Sequence, residues 1–289
     1  MKKVSAFIML GMLLIASRTH GGDLAISRSH DLTRIVSLKP NITEILFALG
    51  AGDDVVGVTT WCDHPETAKN LPKVADYINI NTEKILALKP DIVIGSQENS
   101  VKGQFAALNR AGIKTMTLPF RTLEEMYDSI GKMAEEVGKK KEGSKLVRKI
   151  KNFIPAKAGI PCVHGIPASA GMTNASPNLT TCRPADTRTV LLLVGHRPLV
   201  AAGEKTFIGE LASMAGLKNV VTGERSYPAI NTEFLLAKDP DVIIDLGMGS
   251  ETGGSLPAAL RDRVVKMDIA DFRAGPRVGE AVRKLQNIR

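Results

Sequence analysis

Two stretches set 150 positions apart constrain this chain more than anything else in it. Tyr77–Ile94 reads Tyr-Ile-Asn-Ile-Asn-Thr-Glu-Lys-Ile-Leu-Ala-Leu-Lys-Pro-Asp-Ile-Val-Ile, and Tyr227–Ile244 reads Tyr-Pro-Ala-Ile-Asn-Thr-Glu-Phe-Leu-Leu-Ala-Lys-Asp-Pro-Asp-Val-Ile-Ile. From Ile80 to Ile94, nine of fifteen positions are identical without a gap. A period this long exceeds that of a solenoid and matches two similar lobes of ordinary domain size. In each copy the Asn is a natural helix N-cap, and the Glu lies in the first turn, where the helix dipole favours negative charge. The Pro stops the helix, and the β-branched run after it reads as a strand buried on both faces.

Around these copies, strands and helices alternate, which argues for an α/β fold with parallel sheets flanked by helices. In the first half, strands are expected at Arg34–Leu38, Val55–Val58 and Ile113–Leu118, with helices from Asn41, over Val101–Ala111 and over Thr122–Val137. Asn41 is read as the cap of its helix, with Glu44 at the capping-box spacing. A further helix is expected from Lys139 to Ile154. In the second half, Thr189–Val194, Val220–Val221 and Val264–Met267 read as strands. Helices are expected over Thr206–Ala215, from Pro257 and from Arg277 to Ile288. The expected organisation is a leader over residues 1–22, a first lobe over 23–138, a helix over 139–154, an insertion over 155–187 and a second lobe over 188–289. The insertion is rich in Pro, Gly, Ser and Thr, carries its own small repeat and lacks a sustained period, so it is expected to be disordered.

The chain has 289 residues, a net charge of +8 and no stripe of basic residues interleaved with aromatics, which argues against nucleic-acid binding. Lys2 and Lys3 precede an apolar run, Val4–Ala16, too short to span a bilayer comfortably. This pattern predicts a cleaved export signal and a periplasmic protein; no Cys follows the run, so no lipid anchor is expected there. Cys62, Cys162 and Cys182 make an odd count and no disulfide framework.

Trp61, the single Trp of the chain, and Tyr77 and Tyr227 all fall in loops. Two lobes facing each other would bring such rings to one cleft suited to a large flat ligand; the alternative is that they cover lobe surfaces. Glu83 and Glu233 either stabilise helix starts or dock, one per lobe, on a two-fold partner through Arg sockets. Glu44 and Glu210 read as caps, and as weaker candidates for the docking role. His196 is a candidate contact to a bound metal chelate, and Arg197 beside it a candidate partner for a ligand carboxylate or phosphate. Too few ligands lie near His64, Asp63 and Cys62 to predict a protein-built metal site. Hydrolase, P-loop and zincin motifs are missing, and Gly247-x-Gly249 is a weak partial match to a dinucleotide fingerprint. No catalytic residue is assigned.

Arg-Ile-Val-Ser-Leu-Lys-Pro-Asn-Ile-Thr-Glu at 34–44, Gly-Val-Thr-Thr-Trp-Cys-Asp-His-Pro at 57–65 and Asn-Thr-Glu-Lys-Ile-Leu-Ala-Leu-Lys-Pro-Asp at 81–91 resemble the periplasmic binding proteins of ABC importers for cobalamin, haem and iron-siderophores. The likeness covers about 34–154 and 188–288 and is greatest to the cobalamin branch. It implies a monomer of two lobes joined by one long interlobe helix, here 139–154, with a ligand cleft between the lobes. It also implies no intrinsic cofactor and cobalamin as ligand, with haem or a ferric siderophore as the alternative. Trp61, Tyr77 and Tyr227 match aromatics of the family's cleft, and His196–Leu199 matches another cleft segment. Glu83 and Glu233 match the glutamates that dock on the permease. From other classes, a metallocofactor enzyme on this fold and a structural surface protein are the alternatives.

Overall fold

The structure, a computed structural model, describes residues 34–76, 79–97, 103–153, 188–247 and 256–288. The expected leader, Tyr77, the 155–187 insertion with Cys162 and Cys182, and Gly249 lie outside them. The first half forms a sheet of β1 (Ile35–Ser37), β2 (Val55–Thr59), β3 (Lys73–Ala75), β4 (Ile92–Ser96) and β5 (Lys114–Leu118), ordered β3-β2-β1-β4-β5. Every neighbouring pair in it is parallel. The second half forms a sheet of β6 (Thr189–His196), β7 (Leu199–Ala202), β9 (Val242–Asp245) and β10 (Val264–Lys266), ordered β10-β9-β6-β7. The short β8 (Lys218–Asn219) pairs in parallel with the start of β6. The chain is thus a two-lobed α/β protein with mostly parallel sheets, as its alternating pattern indicates.

One element departs from that pattern. β7 runs antiparallel to β6 and forms a hairpin with it, tipped by Arg197 and Pro198. The sheet geometry puts β8 along the first residues of β6 and β7 along the rest.

Helices α1 (Pro40–Ala48), α2 (Thr82–Ala87), α3 (Gln104–Arg110), α4 (Leu123–Glu136) and α5 (Lys140–Phe153) accompany the first sheet, and α6 (Phe207–Met214), α7 (Thr232–Lys238) and α8 (Val278–Gln286) the second. The two repeat helices are built alike. Asn81 Oδ1 accepts from the Lys84 N–H at 2.9 Å at the start of α2, and Asn231 Oδ1 from the Phe234 N–H at 2.8 Å at the start of α7. Both end on a non-glycine residue in the left-handed region just before proline, Lys89 at φ 46° and Asp239 at φ 41°. A residue before proline is disfavoured in the right-handed α region, so neither helix continues through it, and a left-handed residue ends each one. The aspartate after each proline then ties down the entry to the central strand. Asp91 accepts from the Arg34 N–H at 3.1 Å, and Asp241 from the Thr189 N–H at 2.7 Å.

The Thr189 hydroxyl and N–H hold the Asp241 carboxyl below its ordinary value of 3.8. A lowered folded value means a contribution that is complete above the ordinary value and is lost as pH falls through the lowered one. Asp241→Asn is therefore expected to reduce stability at neutral pH, with the gap from the parent closing as pH drops below about 4. Thermal unfolding across that range checks this; a gap independent of pH would contradict it.

Strand alternation divides the core. Ile35, Ile92 and Ile94 of the first sheet and Val190 and Leu192 of the second face one continuous apolar cluster. Val36 and Val93 face a second cluster outside the first sheet, and Leu191 and Leu193 a third outside the second. The shared cluster takes in Ile45 and Leu46 of α1, Met126 and Ile130 of α4, Leu146 and Ile150 of α5, and Val282 and Leu285 of α8. Gly138, at φ 69°, turns the chain from α4 into α5. The two helices lie so close that a Cβ on Gly143 would come within 2.3 Å of the Ala134 side chain. α5 packs on α4 of the first half and on α8 of the second. A large apolar interface of this kind resists relative motion of the halves.

Candidate functional site

Residues beyond the carboxyl ends of the parallel strands β1, β2, β5 and β10 line one cavity of about 340 Å³ that both halves share. Ligands of open parallel sheets bind at such ends. From the first half, Lys39, Pro40 and Asn41 follow β1, Trp61 follows β2 and Phe120 follows β5. From the second half come Phe207 and Ile208 at the start of α6, Tyr227 in the loop after β8, and the segment Ile269–Ala274 after β10, less Asp271. Trp61 is 48% exposed and Tyr227 52% exposed. Rings left this open on a concave wall are available to a guest, whereas rings that complete a core are buried.

Beneath Trp61 the halves are joined by ions. Pro40 occupies the first position of α1, and Lys39, in extended conformation, caps it without a side-chain bond. The expected Asn41 cap and Glu44 capping box do not form. A proline fits that first position because its missing N–H is not needed there, and this places Glu44 too far into the helix to reach back. Glu44 is instead buried and takes a bidentate grip from Arg277, Nε to Oε2 and Nη2 to Oε1, each at 2.9 Å. Arg273 Nη1 adds a bond to Glu44 Oε1 at 3.3 Å. Arg273 also forms a very short contact with Asp63 and donates to the Trp61 carbonyl at 3.4 Å. Burial pushes the Asp63 carboxyl up, but the hydrogen bond and charge of Arg273, with His64, hold it below its ordinary value. The Glu44 hydrogen bond raises the Arg277 guanidinium.

Glu210 joins the halves by a different contact. Its Oε2 accepts from the Leu123 N–H at 2.7 Å, so it caps α4 of the first half rather than its own helix. Burial raises its carboxyl, against the pull of that N–H. Cys62 is a buried free thiol whose Sγ lies 3.1 Å from both the Thr43 and Thr59 hydroxyls.

His196 and Arg197 are not brought to the cavity wall. His196 Nε2 lies 2.9 Å from Asp245 Oδ1, which also accepts from the Gly247 N–H at 3.0 Å. A Cβ on Gly247 would come within 2.3 Å of the His196 ring. The need for glycine there is room for the imidazole, which replaces the dinucleotide reading of Gly247. Arg197 is exposed at the hairpin tip. Glu44, Asp63 and His64 offer ligand atoms within 4.8 Å of one another. The two guanidinium groups already bind both carboxylates, and a cation there would meet their charge.

Glu83 and Glu233 are both exposed, each in the first turn of its repeat helix. Sequence reasoning missed Arg273, Phe120, Phe207 and Phe272. The pair Arg273 and Arg277, set four apart just before and at the start of the last helix, was the available signal for an acid partner from another element.

Residues 35–158 match the model of the periplasmic binding protein family. An uncharacterized ABC transporter substrate-binding lipoprotein, YvrC of Bacillus subtilis, is 29% identical over 266 residues, covering 87% of this chain and 78% of the relative. A vitamin B12-binding protein of Pectobacterium carotovorum is 26% identical over 212 residues, 73% of this chain and 70% of the relative. Among solved structures, the periplasmic heme-binding protein RhuT of Roseiflexus sp. RS-1 superposes with a TM-score of 0.71 at 27% identity, covering 88% of this chain and 97% of that one. These relatives are solute-binding proteins, not enzymes. No helix among the described residues is long and apolar enough to cross a membrane.

Proposed function

We propose that this chain is a member of the periplasmic binding protein family, a substrate-binding protein of an ABC importer that carries cobalamin across the periplasm to its permease. The observation that carries the reading is the cavity lined by both halves, with Trp61 and Phe120 from the first and Tyr227, Phe207 and Phe272 from the second. A corrinoid is larger than this cavity, so it would seat one edge between the rings and stand partly above the rim. Aromatic faces and apolar walls suit its flat macrocycle. Export by the leader over residues 1–22 and docking through Glu83 and Glu233 belong to the same reading. Tyr77, expected on the first wall, completes it as a proposal.

Replacing Trp61 or Tyr227 with alanine is expected to weaken cyanocobalamin binding by roughly 1–3 kcal/mol, about one to two orders of magnitude in Kd. An unchanged Kd in both variants would remove the stacking role. The alternative ligand is haem, favoured by the phenol of Tyr227 on the cavity wall, since a tyrosine can serve as an axial ligand to haem iron. Absorption spectra separate the two: a tyrosine-ligated haem shows a Soret band that shifts in Tyr227→Phe, and cobalamin has no haem Soret band.

A further inference from the structure

Arg273 lies on the cavity wall, yet its guanidinium is taken by groups of the first half. Nη1 serves Asp63 and Glu44, and Nη2 serves the Trp61 carbonyl and the second oxygen of Asp63 at 3.5 Å. Glu44 is also committed to Arg277, so it cannot by itself neutralise Arg273. Asp63 is the partner that can. Its side chain is 41% exposed against 18% for Arg273, so the carboxylate is the more open partner of the pair. Among the described residues no carboxylate lines the cavity itself, and Lys39 is the other cation on its wall.

We propose that Asp63 sets the charge class of the ligand. By occupying Arg273 it selects against flat chelates with peripheral carboxylates and leaves the cavity suited to one whose side chains are neutral amides. This rests on the reading of the cavity as a chelate site. A carboxylate-bearing guest must compete with Asp63 for the guanidinium and bring a second negative charge beside it; an amide-bearing guest need do neither. Asp63 acts through Arg273 and is a positioning residue, not one that grips the ligand.

The test is the affinity of the purified protein for cyanocobalamin, hemin and hemin dimethyl ester, in the parent, Asp63→Asn, Asp63→Ser and Asp63→Asn with Arg273→Gln. Removing the carboxylate is expected to tighten hemin by roughly tenfold, the scale of one charge-assisted hydrogen bond. Cyanocobalamin and the dimethyl ester should change by less than about threefold. The gain should vanish in the double variant. Equal shifts for all three ligands, a loss for hemin in both single variants, or a gain that survives loss of Arg273 would overturn the assignment. These results leave the chelate-site reading standing. Absence of saturable binding by all three ligands to the parent overturns both.

Discussion

Glu44→Ala is expected to lower the unfolding free energy by roughly 3–5 kcal/mol, the cost of removing one partner from a buried ion pair. Glu44 is 6% exposed and is the acid that Arg277 and Arg273 share. Its loss leaves two guanidinium groups of the second half against the first half without the acid they share, with Asp63 still paired to Arg273. Glu44→Gln keeps an acceptor for one Arg277 bond and should cost less. Urea unfolding at neutral pH measures both. A Glu44→Ala protein within about 1 kcal/mol of the parent would mean that the apolar cluster alone holds the halves in register.

Reversing both Glu83 and Glu233 to lysine is expected to abolish ligand uptake through the permease while leaving ligand Kd unchanged. The two carboxylates stand exposed at matching positions of the duplicated helices, away from the cavity wall. A charge-assisted contact to an arginine contributes about 1.5–3 kcal/mol, and reversal turns attraction at both ends into repulsion. Either single reversal should leave partial uptake. Transport into vesicles holding the permease gives one readout and titration of the isolated protein the other. Weakened ligand binding in the double variant would assign the glutamates to the cleft instead.

The repeat helices were legible because their signals are local. Asn81 and Asn231 sit two residues ahead of Glu83 and Glu233, and an N-cap needs only its own helix to be recognised. The buried strands Ile92–Ser96 and Val242–Asp245 were legible for the same reason, as apolar runs bounded by Pro-Asp. The hairpin of β6 and β7 was not, because Arg197-Pro198 lacks the Asn-Gly or Asp-Gly chemistry that marks two-residue hairpin turns. Glu44 was misread as a cap although Pro40, just before Asn41, already fixes the start of that helix. Its true partner lies 233 positions away. Pairing over that distance depends on how two lobes stack, and neither periodicity nor capping encodes it. Trp61 and Tyr227 were singled out because aromatics are scarce here and these fall in loops. Phe120, Phe207 and Phe272 resemble ordinary core residues until the fold turns them toward one cavity.

Calorimetric titration of the purified protein with cyanocobalamin, hemin and a ferric siderophore tests the central claim most directly. The expected result is saturable one-to-one binding, tighter for cyanocobalamin than for hemin, and weakened when Trp61 or Tyr227 becomes alanine. Absence of saturable binding for every one of the three would contradict a chelate site between the halves, and tighter binding of hemin with a Soret band dependent on Tyr227 would contradict cobalamin as its ligand.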